Sequence, residues 1–171
     1  MSEIKFATIG TSKITKTFLS AASNVPGFKL EATYSRNIKN AIEFGTPYNV
    51  TKFYDSLKAL AEDRTIDAVY IASPNAFHCS QAIQMMKAGK HVLCEKSLAS
   101  NKKEAEEMFR TAAENNVILL EAMRPVFDPG MDAVKASLNK LGVIRRATLN
   151  YCQYSSRYDS FLQGHEHNIF S

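Results

Sequence analysis

His91-Val92-Leu93-Cys94-Glu95-Lys96, running on into Ser97-Leu98-Ala99, is a short apolar run that stops at an acid and a lysine side by side. An unbroken apolar run such as Val-Leu-Cys fits a strand buried on both faces, the condition of strands in a parallel sheet covered by helices. In open sheets of that kind, ligands bind in the crevice beyond the carboxyl ends of the strands. A lysine at such a place shifts its pKa readily when partly desolvated. Glu95-Lys96 therefore reads either as a chemical pair or as a surface ion pair that closes a strand.

Outward from this stretch, strand and helix patterns alternate along the chain. Residues 5–10 are a short apolar run ending in Gly10, and Ile14, Phe18, Ala21 and Ala22 follow at helical spacing. After the turn cluster Asn24-Val25-Pro26-Gly27, residues 29–35 read as a second strand, and 38–44 as a short helix stopped by Gly45 and Pro47. Residues 52–54 form a small third strand, and Leu57, Leu60 and Ala61 mark a helix. Residues 68–73, Ala-Val-Tyr-Ile-Ala-Ser, are a strong fourth strand halted by Pro74-Asn75. Ala82, Met85 and Met86 share one helical face that ends at Gly89. Beyond the 91–96 strand, Ala105, Met108, Phe109 and Ala112 form an i, i+3, i+4, i+7 stripe that predicts a core-facing helix. Residues 117–123 complete six strands, and Val134, Leu138 and Leu141 mark a last helix ending at Gly142. Strand–helix units repeated at this length imply a doubly wound α/β domain, a parallel sheet with right-handed crossovers. That domain covers residues 1–123. Residues 124–171 read as a linking helix followed by one long β-prone strand, 144–154, and a polar tail with no closing element. One strand is not a domain, so this part reads as the start of an incomplete α+β domain.

Composition narrows the function. Of 171 residues, 45% are apolar and 22% charged, with a net charge of +4, the balance of a soluble globular domain. The basic residues are scattered, with Lys135, Lys140, Arg145 and Arg146 the densest group, so no nucleic-acid partner is expected. No run reaches the roughly 20 apolar residues a membrane span needs, and no membrane partner is expected. Cys79, Cys94 and Cys152 form no Cys-x-x-Cys pair, and two of them sit in apolar or helical runs, which predicts reduced, buried thiols and a cytoplasmic compartment. His165 and His167 have no third ligand nearby, so no metal is expected.

Three loops carry candidate binding chemistry. Gly10-Thr11-Ser12-Lys13-Ile14-Thr15 follows a strand and opens a helix, the context in which a glycine turn presents helix amides to a pyrophosphate. Ser12 and Thr15 stand where a full dinucleotide fingerprint has glycine or a small residue, and an ordinary strand–helix turn fits as well. Tyr34-Ser35-Arg36 ends the second strand without the acid that binds a ribose 2′-hydroxyl; Arg36 with Ser35 suits a 2′-phosphate, or is a surface arginine in a polar turn. Ser73-Pro74-Asn75, with His78 three residues on, lies where the fourth strand meets its helix, and Asn75 reads either as a helix cap or as a contact to a bound ribose or nicotinamide.

In order and spacing, these segments together with Gly89-Lys90-His91-Val92-Leu93-Cys94-Glu95-Lys96 resemble the glucose–fructose oxidoreductase / inositol dehydrogenase / rhizopine catabolism (Gfo/Idh/MocA) family, in its dihydrodiol and sugar dehydrogenase-like branch. The resemblance covers the chain up to Phe170. It implies a Rossmann domain that binds NADP, with NAD possible, through Gly10, Thr11, Ser12, Lys13, Ile14, Ser35, Arg36, Ser73, Pro74, Asn75, His78, Glu95 and Lys96. It further implies hydride transfer with a carbohydrate, polyol or diol substrate, and a homo-oligomer in the full-length form. The family's Glu-Lys-Pro signature carries over to Glu95 and Lys96 as the catalytic pair. Lys96 would stabilise charge on the substrate oxygen, and Glu95 would position or tune it. Ser97 stands where the family has proline, and the family's downstream acid and His or Tyr cluster has no counterpart before Ser171, so a truncated form with little turnover of its own is expected. A dinucleotide-sensing regulatory protein of the same fold and an NAD-dependent glycoside-cleaving enzyme are the alternatives.

Overall fold

A computed structural model of the chain describes residues 3–152 and 158–164. Six strands, β1 (Ile4–Ile9), β2 (Phe28–Tyr34), β3 (Lys52–Tyr54), β4 (Ala68–Ile71), β5 (His91–Cys94) and β6 (Leu119–Glu121), form one parallel sheet in the order β3-β2-β1-β4-β5-β6. Between them run α1 (Lys13–Ala22), α2 (Ile38–Gly45), α3 (Leu57–Glu62), α4 (His78–Lys87) and α5 (Lys102–Glu114). The expected doubly wound sheet is formed. Its strand order reverses at β1, which pairs with both β2 and β4.

Register makes the site possible. Ile9 lies opposite Tyr34 on one side and Ile71 on the other, Ile71 opposite Cys94, and Cys94 opposite Glu121. The strands therefore end level. Backbone bonds carry the ladder one residue further, from Gly10 N to Tyr34 O (3.3 Å), Ala72 N to Ile9 O (2.8 Å), Glu95 N to Ile71 O (2.8 Å) and Ala122 N to Cys94 O (2.7 Å). The loops that follow leave from one common edge.

Alternation sends Ala7, Ile9, Val69, Ile71, Val92 and Cys94 to one sheet face, where they join Leu60, Ala82, Met85, Met86, Met108 and Ala112 in the core. The other face is aromatic. Phe6 packs on Phe28 with centroids 5.1 Å apart, and Phe18 of α1 stacks on Tyr70 at 3.9 Å and 12°. Two expected helix faces are turned by one residue. In α1 the buried positions are Thr15, Leu19 and Ala22, while Ile14 is 45% exposed. In α5 Thr111 is buried with Met108 and Ala112, and Phe109 is exposed.

After Ala122 the chain passes into a second compact unit. It contains α6 (Pro129–Leu138), capped by Asp128 accepting from Gly130 N at 2.7 Å, and a short α7 (Tyr158–Leu162) that the polar tail did not announce. A single 3₁₀ turn, Asn139–Leu141, leads to Gly142 at φ +69°, where the last helix was expected to end. The expected strand over 144–154 is not formed in its described part: residues 144–152 carry no strand, and Tyr154 lies outside the described residues. A β-prone run becomes a strand only with a partner to accept its ladder bonds, and no strand beyond β6 is present among the described residues. Cys94 is buried as expected and Cys79 half-buried, but Cys152 lies in that same strandless run and is exposed. His165 and His167 also lie outside the described residues.

At the β2–β3 side, Asp63 gathers donors: the Tyr54 hydroxyl at 2.7 Å, Lys52 Nζ at 3.1 Å, and the Thr65 amide and hydroxyl at 2.8 and 2.7 Å. Burial alone would raise its pKa; the bonds from Thr65, Tyr54 and Lys52 outweigh burial and hold it well below the usual carboxylate range. A carboxyl depressed in the folded state adds stability that is present above its unfolded value, about 4, and lost as pH falls through the folded one. Asp63→Asn should therefore cost about 1–2 kcal/mol at pH 7, the lower figure reflecting solvent screening of Lys52. Urea unfolding at pH 7 and pH 3 checks it, and the gap between parent and variant should narrow at the lower pH.

Candidate functional site

Gly10 sets the geometry of the edge. Its φ is +112°, and a Cβ there would stand 2.6 Å from the Ala72 carbonyl oxygen. Only glycine allows the β1 turn to approach β4 this closely. The crevice opened where the strand order reverses is a cavity of about 440 Å³. Of the residues singled out from sequence, Gly10, Thr11, Ser12, Ser35, Arg36, Ser73 and Pro74 line it. They come from three loops, after β1, β2 and β4, so the level strand ends bring them together. A depression of similar size, about 480 Å³, is lined by Lys58, Ala61, Glu62, Arg64 and Ala88. Its Lys58 and Glu62 pair with each other at 3.8 Å, and no loop of the carboxyl edge enters it.

The cavity suits a dinucleotide phosphate on two observations. First, α1 has an open N-terminus: Ser12 is its N-cap in extended backbone, but its hydroxyl makes no bond to the helix amides. Unsatisfied first-turn amides and the positive end of the helix dipole receive a pyrophosphate. Lys13 and Ile14 stand on that exposed first turn. Beneath it, the hydroxyls of Thr8 and Thr15 are buried without a hydrogen-bond partner. Second, Arg36 holds its guanidinium 5.8 Å from the centre of the Phe77 ring, with both side chains exposed at the cavity. A cation and an aromatic face so placed can stack a purine.

Four further cavity residues escaped the sequence reading: Asn40, Leu57, Phe77 and Gln81. Gln81 is four residues beyond Phe77, the N-cap of α4, a spacing that puts the pair on one side of the helix start, so for these two a signal was present. Gln81 is 7% exposed and accepts from the Ser73 hydroxyl at 2.6 Å.

Asn75, His78, Glu95 and Lys96 stand apart from the cavity lining. Asn75 opens a 3₁₀ turn, Asn75–Phe77, and makes no capping bond to α4. His78 is fully buried, and its ring nitrogens each lie 2.8 Å from a backbone carbonyl oxygen, of Ser97 and of Ser73. Both nitrogens face backbone carbonyl oxygens, to one of which the single N–H of a neutral ring donates, and neither lines the cavity. Glu95 and Lys96 do not pair with each other. The Tyr70 hydroxyl donates to Glu95 Oε1 at 2.6 Å, and the Lys96 amide donates to Glu95 Oε2 at 3.2 Å. The Lys96 side chain itself is exposed at the edge. Burial, followed by the Glu95 bond, pushes Tyr70 far above the ordinary phenol range. Burial likewise pushes Cys94 up to about 12, with the charges of Glu121 and Glu95 adding to it, so this thiol is no nucleophile.

A parallel sheet in this order, a glycine-hinged crevice at its reversal point and an uncapped helix start define a dinucleotide-binding domain. Residues 4–123 match the family described as "Oxidoreductase family, NAD-binding Rossmann fold". The chain belongs to this Gfo/Idh/MocA oxidoreductase family. It is 49% identical over 167 residues to scyllo-inositol 2-dehydrogenase (NADP(+)) IolU of Bacillus subtilis (strain 168), covering 98% of this chain and 51% of that protein. Trans-1,2-dihydrobenzene-1,2-diol dehydrogenase of Xenopus tropicalis is 30% identical over 141 residues, 81% of this chain and 43% of that enzyme. Among solved structures, KijD10, a 3-ketoreductase from Actinomadura kijaniata in complex with TDP-benzene and NADP, superposes with a TM-score of 0.76 at 30% identity, over 84% of this chain and 45% of that one. The chain spans about half the length of the curated relatives it matches. No helix among the described residues is long and apolar enough to cross a membrane.

Because the Ala72 carbonyl is backbone and cannot swing aside, Gly10→Ala should lower stability by about 1–3 kcal/mol. Urea denaturation measures it, and an unchanged midpoint would mean the hinge tolerates a side chain.

Proposed function

We propose that this chain is the nucleotide-binding part of an NADP-dependent oxidoreductase acting on a CH–OH group of a carbohydrate, polyol or diol. The carrying observation is Arg36 with Ser35 at the tip of β2, on the cavity wall and with no acid beside them. An acid there would bind a ribose 2′-hydroxyl and repel a 2′-phosphate; a guanidinium reverses that preference. The named activities of the relatives, an NADP(+)-dependent inositol dehydrogenase and a ketoreductase seen with NADP, support the same reading.

In this reading Thr11, Ser12 and the first-turn amides of α1 receive the pyrophosphate, Ser35 and Arg36 hold the 2′-phosphate, and Phe77 with Arg36 flanks the purine. Ser73, its hydroxyl tied to Gln81, and Pro74 form the facing wall. Bound NADP supplies the hydride donor or acceptor. Lys96 works from the loop after β5. Its ammonium donates a hydrogen bond to the substrate oxygen and stabilises the negative charge that grows there during hydride transfer. In reduction the ammonium gives a proton to that oxygen, and in oxidation the neutral amine takes the hydroxyl proton. The Glu95 carboxylate, held by Tyr70, acts on the Lys96 backbone rather than on substrate.

Residues beyond Ala122 are assigned as a linking helix and the opening of a substrate-binding sheet domain. The run around Val143, Leu149 and Tyr151, which are 85, 94 and 88% exposed, would become a strand when that sheet is completed. A cytoplasmic compartment fits the free thiols. A homo-oligomer built by the completed sheet belongs to the same reading.

Two measurements test it. Titration at low salt should show the chain binding NADPH more tightly than NADH. Arg36→Ala should cost on the order of 1.5–3 kcal/mol, tenfold or more, for NADPH and little for NADH. Equal affinities in the parent chain would remove the argument from Arg36. In a protein of the relatives' full length, Lys96→Met should slow single-turnover hydride transfer by orders of magnitude while leaving NADPH affinity within a few-fold, since charge stabilisation acts on the rate of chemistry.

A further inference from the structure

We propose that Tyr70, His78 and Glu121 are positioning residues for Lys96, a three-point brace that fixes the backbone of residues 95–98 and leaves the ammonium free. The proposal rests on the reading of Lys96 as the group that acts on substrate. What it adds is how that group is held.

Family members have proline after this lysine, and a proline ring fixes its own φ. Ser97 supplies no ring. The turn must be fixed from outside itself, and three separate elements do so. From β4, Tyr70 donates to Glu95 Oε1 at 2.6 Å, while Glu95 Oε2 accepts the Lys96 amide at 3.2 Å. From α4, His78 reaches the Ser97 carbonyl oxygen at 2.8 Å with Nδ1 and the Ser73 carbonyl oxygen at 2.8 Å with Nε2. From β6, Glu121 Oε1 accepts the Leu98 amide at 2.9 Å. Each anchor is itself immobile. Tyr70 is fully buried and stacked on Phe18, His78 is fully buried, and Glu121 lies in the ladder opposite Cys94.

The bonds fall before, at and after the lysine, and all but one end on main-chain atoms of 95–98 or of Ser73. Such an arrangement orders a loop without consuming the side chain it presents. His78 has a second consequence. Buried between the Ser73 and Ser97 carbonyls, it donates its one N–H to either and packs the cavity wall against the lysine loop. A catalytic group must be held close to its productive geometry by neighbours whose own rotamers are locked.

The test uses amide hydrogen exchange on the 171-residue chain. Glu121→Ala should speed exchange of the Leu98 amide by about tenfold, the effect of losing one charge-assisted bond, whereas Glu121→Gln, which keeps an acceptor oxygen, should stay near the parent rate. Tyr70→Phe keeps the stacked ring and removes only the hydroxyl; it should speed exchange at Lys96 with β4 amides unchanged. NADPH affinity should stay within about twofold in all three. In a protein of the relatives' full length, the same Tyr70→Phe and Glu121→Ala changes should lower kcat with KM held, and Glu121→Gln should restore kcat. Unchanged exchange at Leu98 and Lys96, or equal loss of protection across β4 to β6, overturns the brace. These results are separable from the role of Lys96, because a Lys96→Met protein with full activity would refute that role even if the exchange pattern held.

Discussion

The close approach of the β1 turn to the Ala72 carbonyl is the constraint on which the rest depends. A side chain at Gly10 would stand 2.6 Å from that oxygen, so the β1 turn can come this close to β4 unstrained only with glycine at the hinge. Given the hinge, α1 leaves β1 with its amides facing the crevice, and Ala72 and Ser73 form the opposite wall. Given level strand ends, the loops after β2 and β5 leave from the same edge. The site is thus a consequence of register rather than of any single binding residue. The polar groups that line it, Ser35, Arg36 and Ser73, are where they are because Ile9, Tyr34 and Ile71 lie opposite one another in the ladder.

The fold was largely legible in the sequence because parallel strands buried on both faces leave unbroken apolar runs, and the helices between them leave a 3.6-residue rhythm. What failed to show was which side of a helix meets the sheet at close range. Ile14 looks like core by hydrophobicity, yet Thr15 is buried with Leu19 and Ala22, because the face that meets the sheet is set by how the helix leaves the β1 turn. The run from 144 shows a different limit. Propensity describes what a segment does given a partner, and β-prone residues without a ladder partner stay irregular.

Many of the residues that line the cavity were legible in the sequence, and the contacts around the lysine loop were not. Gly10, Ser12 and Arg36 announce themselves by backbone conformation or charge, properties each residue carries alone. His78, Tyr70 and Glu121 act through contacts 19 to 25 residues away in sequence, and nothing in their local surroundings signals this. His78 next to Ser73-Pro74-Asn75 invites assignment to the ligand. In three dimensions its two nitrogens face the backbone carbonyl oxygens of Ser97 and Ser73.

Glu95 shows why adjacency in sequence is a poor guide to interaction. Beside Lys96 it suggests an ion pair, and an ion pair would pull the ammonium back toward the protein and share its charge. The buried Tyr70 instead takes one carboxylate oxygen, and the lysine amide takes the other. Tyr70 lies with its ring locked against Phe18, so an acid at its hydroxyl both satisfies a buried donor and is held away from the neighbouring side chain. The same contact leaves the ammonium without an intramolecular partner in Glu95. In the role proposed for Lys96, acting on a substrate oxygen, the side chain is best kept so, with its backbone fixed and its charge uncommitted.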